Sequence, residues 1–292
     1  MIQLNEAISP LRQRMVSDMN MRNLSQKTQT TYIRAIARLA RYLNHSPATA
    51  TAEELRQFQL AMLKEGASSG TVNSTLSGLQ FLYGKTLKRP QALVSLTRAR
   101  LPRKLPQILS PEEVKRLIDA TSHLKYRTAL SVAYGSGLRI AEVAALKISD
   151  IDSKQMVLKV EQGKGSKDRL AMLSPVLLKE LRKWWHYANE KGLMLKGGWL
   201  FPGRHPINPI STRQLSRACK HAASKAKIEK RVSMHTLRHS FATHLLDEKV
   251  DVRIIQTLLG HSKLETTALY TQVATKLLVS VTSPLDRLGS ET

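Results

Sequence analysis

The stretch LTRARLPRKLPQILSPEEV, residues 96–114, divides this chain in two. Pro102 and Pro106 lack the amide hydrogen that a helix interior or an inner strand requires, and Arg98, Arg100, Arg103 and Lys104 crowd positive charge around them. An extended basic linker over 98–106 is expected, with a separate folding unit on each side. Such a linker would let two units close around a polyanionic partner. The partner's nature follows from the charge balance. Forty-six Lys and Arg against 22 Asp and Glu leave a net charge of +24, an excess that repels itself unless a polyanion neutralises it, so nucleic acid is the leading partner. An anionic membrane surface competes, but no polybasic amphipathic anchor stands alone here.

Residues 8–97 read as wholly helical, with about four helices before residue 90. From about Pro10 to Leu43, Thr31, Ala35, Leu39 and Leu43 recur on one face, with Ile33, Ile36 and Tyr42 on its flank. Arg34, Arg38 and Arg41 fall between them, as a solvated basic face or a phosphate-contacting one, and the charge favours the second. Thr51 and Glu54 have capping-box spacing for a helix running to about Lys64 and ended at Gly66. Ser68 or Ser69 opens another, through Val72, Leu76, Leu79, Leu82 and Tyr83.

Residues 107–292 mix patterns. Ser110-Pro111-Glu112-Glu113 is a strong helix start, for a helix to about Ala120. Further helices are expected at about Tyr126–Tyr134 and Leu138–Leu146. Met156–Val160 and Arg169–Leu173 read as strands, joined by a glycine-bearing hairpin tip holding Lys164 and Lys167. A helix over about Pro175–Lys191 would turn Leu178, Leu181, Trp184 and Trp185 inward, and Ser211 or Thr212 caps a basic helix to about Lys227. Met234–Tyr270 then reads as a helix, a short break, a second helix, a turn at Leu259-Gly260-His261 and a third helix carrying Tyr270. The fold class is mostly α: a helical N-terminal unit and an α+β unit with a small antiparallel sheet.

Several function classes fall away. The one cysteine, Cys219, excludes an intramolecular disulfide and a cysteine-based zinc site. The histidines lack metal-protease spacing and a well-spaced acidic ligand, so no metal is expected. The first residues lack the apolar core of a signal peptide and no apolar run is long enough to cross a bilayer, so a cytoplasmic protein is expected, and a nucleic-acid partner would make it nucleoid-associated.

Taken alone, Arg139 and Glu142 are an i,i+3 pair that reads as a surface ion pair worth under about 1 kcal/mol. His235 and Arg238, also three apart, should leave the core together on the side opposite Leu237, Phe241 and Leu245. Their joint order with other motifs carries more. GSGLRIAEVAALKISDID at 135–152, GKGSKDR at 163–169, HTLRHSFATHLL at 235–246 and LLGHSKLETTALYTQV at 258–273 together resemble the tyrosine recombinase (phage-integrase-type) family, specifically its small Xer-like members. The resemblance spans nearly the whole chain.

The resemblance implies a core-binding, DNA-clamping domain at 8–97 and a catalytic domain at 107–292. It implies a site-specific recombinase or integrase, of the kind found in mobile elements, that cuts and rejoins duplex DNA through a 3′-phosphotyrosine. Tyr270 would be the nucleophile, Arg139 and Arg238 would bind the scissile phosphate, and Lys164 would protonate the leaving 5′ oxygen. His235 would assist proton transfer from Tyr270, His261 would bond a phosphate oxygen, and Glu142 would support Arg139. Lys167 is the less favoured hairpin lysine and a candidate DNA contact, with Arg34, Arg38, Arg41, Arg98, Arg100, Arg103 and Lys104. No cofactor, metal or small-molecule substrate is implied. The expected partners are double-stranded DNA and three further protomers, four acting on two sites. The 185–211 segment is compact, whereas integron integrases, which resemble this chain in the SPLDRL-like tail, carry an insertion there. An additional arm-binding domain of the kind seen in some phage integrases is not expected, and simple core sites are. A type IB topoisomerase-like relaxing enzyme and a non-catalytic DNA-binding regulator stay open as alternatives.

Overall fold

The computed structural model describes residues 9–101, 105–161 and 168–260. They belong to two compact units, Met1–Arg103 and Lys104–Thr292.

The first unit is helical: α1 (Pro10–Met21), α2 (Gln26–Leu43), α3 (Ala52–Lys64) and α4 (Ser69–Phe81). The stretch expected to be helical from Pro10 to Leu43 is two helices, α1 and α2. Asn23 adopts a left-handed conformation (φ 50°) and the Ser25 hydroxyl caps α2 by accepting from the Thr28 amide, so short polar side chains win the backbone from the helix. The capping box at Thr51 and Glu54 forms as its spacing foretold. Met15, Met19, Leu39, Leu55, Phe58, Leu79 and Tyr83 make the core, each large apolar side chain contributing about 1.5–3 kcal/mol on burial. Gly78 lets α2 and α4 close: a Cβ there would sit 3.0 Å from the Ala35 Cβ. The chain beyond α4 stays fastened to this unit. Arg98 donates to Gln80 Oε1 at 2.8 Å and Ala99 exchanges hydrogen bonds with Asn73 at 2.8 and 2.9 Å, so the first residues of the expected linker are fastened to this unit. Pro102, Arg103 and Lys104 lie outside the described residues.

The second unit begins with α5 (Pro111–Asp119), capped by Ser110 as expected, and α6 (Leu124–Gly135). The helix expected over Leu138–Leu146 is only α7 (Ile140–Ala144), because Gly137 is left-handed (φ +61°) and Arg139 extended. Then comes a three-stranded antiparallel sheet of β1 (Ile151–Asp152), β2 (Val157–Val160) and β3 (Arg169–Met172), in the order β1-β2-β3. β1, with two residues, is too short for a period to reveal. Val160 pairs with Arg169, so the hairpin root is defined, while Lys164 and Lys167 lie outside the described residues.

Helices α8 (Pro175–Glu190), α9 (Thr212–Lys225), α10 (Met234–Asp247) and α11 (Val252–Leu259) follow. On α8 the buried stripe is Leu177, Leu181, Trp184 and Ala188. Trp185, expected inward, is 38% exposed, because helical spacing from Leu181 carries Trp184 inward and its neighbour out. Trp184 donates its indole N–H to the Leu200 carbonyl at 2.8 Å. Phe241, Ala242, Leu246, Ile255 and Leu259 form a smaller cluster joining α10 to α11.

Gly137 sits against that cluster. A Cβ on it would meet Phe241 Cδ1 at 2.5 Å and Leu259 Cδ2 at 2.9 Å. Left-handed strain and overpacking add, so Gly137→Ala is expected to lower stability by about 2–4 kcal/mol. A urea midpoint within error of the parent protein would contradict this.

Candidate active site

A single carboxylate organises the second unit's polar centre. Glu142, on α7, has a side chain 6% exposed, and three arginines surround it. Arg139, just before α7, donates its backbone N–H to Glu142 Oε2 and its Nη1 to Oε1, both at 2.7 Å. Arg169, the first residue of β3, makes a two-pronged pair, Nη1 to Oε1 at 2.9 Å and Nη2 to Oε2 at 2.8 Å. Arg238, on α10, brings Nη1 within 3.9 Å of Oε2. The Arg139–Glu142 pair expected at the surface therefore has a buried carboxylate and a half-buried arginine, and Arg238, expected to leave the core, is 3% exposed. The helix period shows which side of α10 carries Arg238; it does not show that α11 closes over that side.

The same arginines reach the end of α11. Arg169 Nε donates to the Leu258 carbonyl at 3.2 Å, Arg238 Nη2 to Leu259 at 2.6 Å and Arg139 Nη2 to Gly260 at 3.2 Å. Three successive carbonyls that a helix end leaves without partners thus each accept from a different guanidinium, where the helix dipole favours positive charge. Arg238 Nη1 also donates to the Gly137 carbonyl at 2.6 Å. Among the described residues, three guanidiniums against one carboxylate gather an excess of positive charge at this centre, suited to an anion whose oxygens accept paired N–H donors. Arg169 is the member that sequence reasoning missed; it ends the quoted motif GKGSKDR, which was its one visible signal.

Burial alone would push the Glu142 carboxyl up, but the hydrogen bonds from Arg169 and Arg139 outweigh it and hold the group at about 2, against an ordinary 4.5. A lowered folded value stabilises the fold above the unfolded one. The contribution, about 3 kcal/mol, is fully present above pH 4.5 and is lost as pH falls toward 2. Urea unfolding from pH 6 down to pH 3 is expected to show this loss, with Glu142→Gln flattening that part of the profile; an unchanged slope in the variant would contradict the assignment.

The histidines of α10 differ. His235 is exposed, its ring 6.4 Å from that of His239. Burial, with the neighbouring His235 and Arg238 charges, presses His239 down to about 4, so it is neutral near pH 7. His244 is structural. Its Nε2 lies 3.0 Å from the Leu109 carbonyl, which can only accept, so in the neutral ring Nε2 carries the hydrogen and Nδ1 accepts from the Tyr134 hydroxyl at 2.9 Å. His261 and Tyr270 lie outside the described residues; His261 directly follows Gly260, which caps α11 with φ +62°. Among the described residues no group of three His, Cys, Asp or Glu side chains could hold a metal ion, and no helix is long and apolar enough to cross a membrane.

In the first unit, Arg34, Arg38 and Arg41 line an open groove of about 660 Å³ between α2 and α4, facing Ser68, Thr71 and Ser74. Arg38 is paired with Glu65 at 2.6 Å, while Arg34, Arg41, Arg98 and Arg100 are exposed.

The family model described as "Phage integrase family" matches residues 107–276, and "Phage integrase, N-terminal SAM-like domain" matches 11–93. The chain belongs to the phage integrase family. A putative integrase/recombinase of Sinorhizobium fredii, y4qK, is 40% identical to this family member over 285 residues, covering 96% of this chain and 90% of the relative. Tyrosine recombinase XerA of Pyrococcus horikoshii is 34% identical over 228 residues, covering 78% of each chain. Among solved structures, a XerA recombinase matches with a TM-score of 0.53 at 28% identity, covering 92% of this chain and 96% of that one. A lambda integrase dimer on a core site matches at 0.72 and 20% identity, covering 89% and 93%, a likeness of fold. This phage integrase family member thus has the expected fold class, mostly helical with a small antiparallel sheet.

Proposed function

We infer that this chain is a tyrosine site-specific recombinase, which breaks and rejoins DNA by way of a covalent protein–DNA link. The observation that carries the reading is the gathering of Arg139 and Arg238, from two distant motifs, at one buried carboxylate and at the end of α11, one residue before His261.

In the proposed mechanism the Tyr270 oxygen attacks the scissile phosphorus and gives up its proton with the help of His235. The bond from phosphorus to the 5′ oxygen breaks, and Lys164 protonates that oxygen. A 3′-phosphotyrosine and a free 5′-hydroxyl result, and attack by a 5′-hydroxyl reverses the step on the same or another strand. Charge grows on the nonbridging oxygens; Arg139 and Arg238, with His261, bind them. Glu142 holds Arg139 for that task. The chemistry assigned to these side chains supplies a nucleophile, an acid and charge stabilisation, so no metal or cofactor has a role in it.

Arg34, Arg38, Arg41, Arg98, Arg100, Arg103, Lys104 and Lys167 are assigned to phosphate contacts that fix position on duplex DNA rather than read sequence. Four protomers on two sites complete strand exchange, in the cytoplasm at the nucleoid. Relatives with solved DNA complexes support the partner: one structure is a lambda integrase tetramer bound to a Holliday junction.

The test begins by sequencing DNA flanking covalent adducts, which yields the target site. Two copies on one plasmid are then expected to give recombinant circles, with EDTA present. Relaxation without exchange would favour a type IB topoisomerase-like enzyme, and binding without adduct a regulator.

A further inference from the structure

We propose that the tight turn over Pro202–Pro209 is a base-reading element, whose tip carries Arg204, Ile207 and Asn208 into a groove of the target duplex. The proposal rests on the reading of the chain as a site-specific DNA recombinase and names residues that give it specificity.

Charge marks the region first. From Lys191 to Ile228 the chain has no Asp or Glu in 38 residues, while eight are Lys or Arg. A stretch this long without an acid, in a chain that has 22 elsewhere, suits a polyanion better than a protein partner of mixed charge. Its second half is α9, where Arg213, Arg217 and Lys220 are exposed at helical spacing that puts them on one side. Phosphates match such a row, and phosphate contacts hold a protein in register without reading sequence.

The turn lies directly before α9 and is built to keep its shape. Ile210 donates to the Phe201 carbonyl and Gly203 to the Asn208 carbonyl, both at 2.8 Å, and the Asn208 N–H closes a four-residue turn on the His205 carbonyl at 3.0 Å. Pro206 stands second in that turn, where its ring presets the backbone. A Cβ on Gly203 would meet the Pro209 carbonyl oxygen at 2.9 Å, so glycine lets the two arms close. The Trp199 indole N–H donates to the Ile207 carbonyl at 2.9 Å, and the Lys125 ammonium to the Pro202 carbonyl at 3.1 Å. The incoming arm is bonded to the segment after α7: Leu200 donates to the Leu146 carbonyl at 2.8 Å, and Ile148 to the Gly198 carbonyl at 3.2 Å. The tip is thereby fixed relative to α7, which carries Glu142 and follows Arg139.

With these backbone groups spent inside the turn, the side chains at its tip face water. Arg204 and Asn208 are exposed, and Ile207 is 77% exposed. A branched apolar side chain held out on a pinned turn gains little from the fold and gains from contact with a thymine methyl or a base step. The Asn208 amide sets a donor beside an acceptor, the pattern of an adenine edge, and the Arg204 fork matches a guanine edge. Because the turn is ordered beforehand, docking it costs little conformational entropy.

The test uses the full-length Tyr270→Phe protein, which keeps binding separate from cleavage, and duplexes of randomised sequence selected by binding and then sequenced. Ile207→Ala, Asn208→Ala and Arg213→Ala would be compared in that background, with thermal melts to verify folding. Each tip variant is expected to lose preference at one or two base pairs and to bind the selected site about tenfold more weakly, while binding a scrambled duplex within about twofold of the unsubstituted background. Arg213→Ala is expected to weaken both duplexes by the same factor and to lower the slope of log affinity against log salt by about 1. Unchanged base preference in both tip variants, an equal loss on both duplexes, or parent-like salt dependence in Arg213→Ala would overturn the proposal. So would intact base preference with weakened binding of a second copy beside the first, which would make the tip a protein contact. Failure of the Tyr270→Phe background itself to select any sequence would instead refute the site-specific reading on which the proposal rests.

Discussion

Tyr270→Phe is expected to abolish the covalent protein–DNA adduct, with cleavage reduced by at least about 10⁴-fold. The substitution removes one oxygen and keeps the ring, so packing changes little. No other group in the assigned machinery can form the same phosphotyrosine. Binding depends on lysine and arginine contacts to the backbone, and affinity for the same DNA is expected to stay within about twofold. A gel that separates free from covalently bound strand, on a substrate whose cleaved end diffuses away, reads the first quantity; a binding titration at fixed salt reads the second. Retained adduct in the variant would mean that the nucleophile is another residue.

Glu142→Ala is expected to be the most damaging single change to the second unit's polar centre. The carboxylate is 6% exposed and accepts from Arg139 and Arg169, with Arg238 at 3.9 Å. Removing one partner of a buried pair leaves the others desolvated and uncompensated, which destabilises by about 3–5 kcal/mol. Glu142→Gln keeps the shape and one acceptor oxygen, so a smaller loss is expected. Denaturant midpoints at neutral pH check the order, and adduct formation by the folded fraction checks whether Arg139 still serves the phosphate. A Glu142→Ala protein as stable as the parent would make the arginine cluster a surface feature after all.

Much of the fold could be read from the sequence where one local interaction decides an element. Ser110 with Pro111, and Thr51 with Glu54, set helix starts through bonds within four residues, and both formed as read. The place where α1 gives way to α2 was less legible, because the apolar stripe continues across the turn that Asn23 and Ser25 set. The dispersed motifs could be listed in order, but what the site does with them could not. That Arg238 is buried and Glu142 serves several arginines depends on α11 closing over α10, and on β3 delivering Arg169 from a strand near neither motif. Such contacts span 27 to 121 residues of chain and leave no periodic trace.

The most direct measurement of the central claim is the chemical identity of the covalent link. The adduct would be trapped on a suicide substrate, digested with protease and nuclease, and mapped by mass spectrometry. The expected result is a nucleotide joined through its 3′-phosphate to the peptide containing Tyr270, formed without added metal. A nucleotide on any other residue, a 5′-phosphate linkage, or an adduct that appears only with a divalent metal would contradict it.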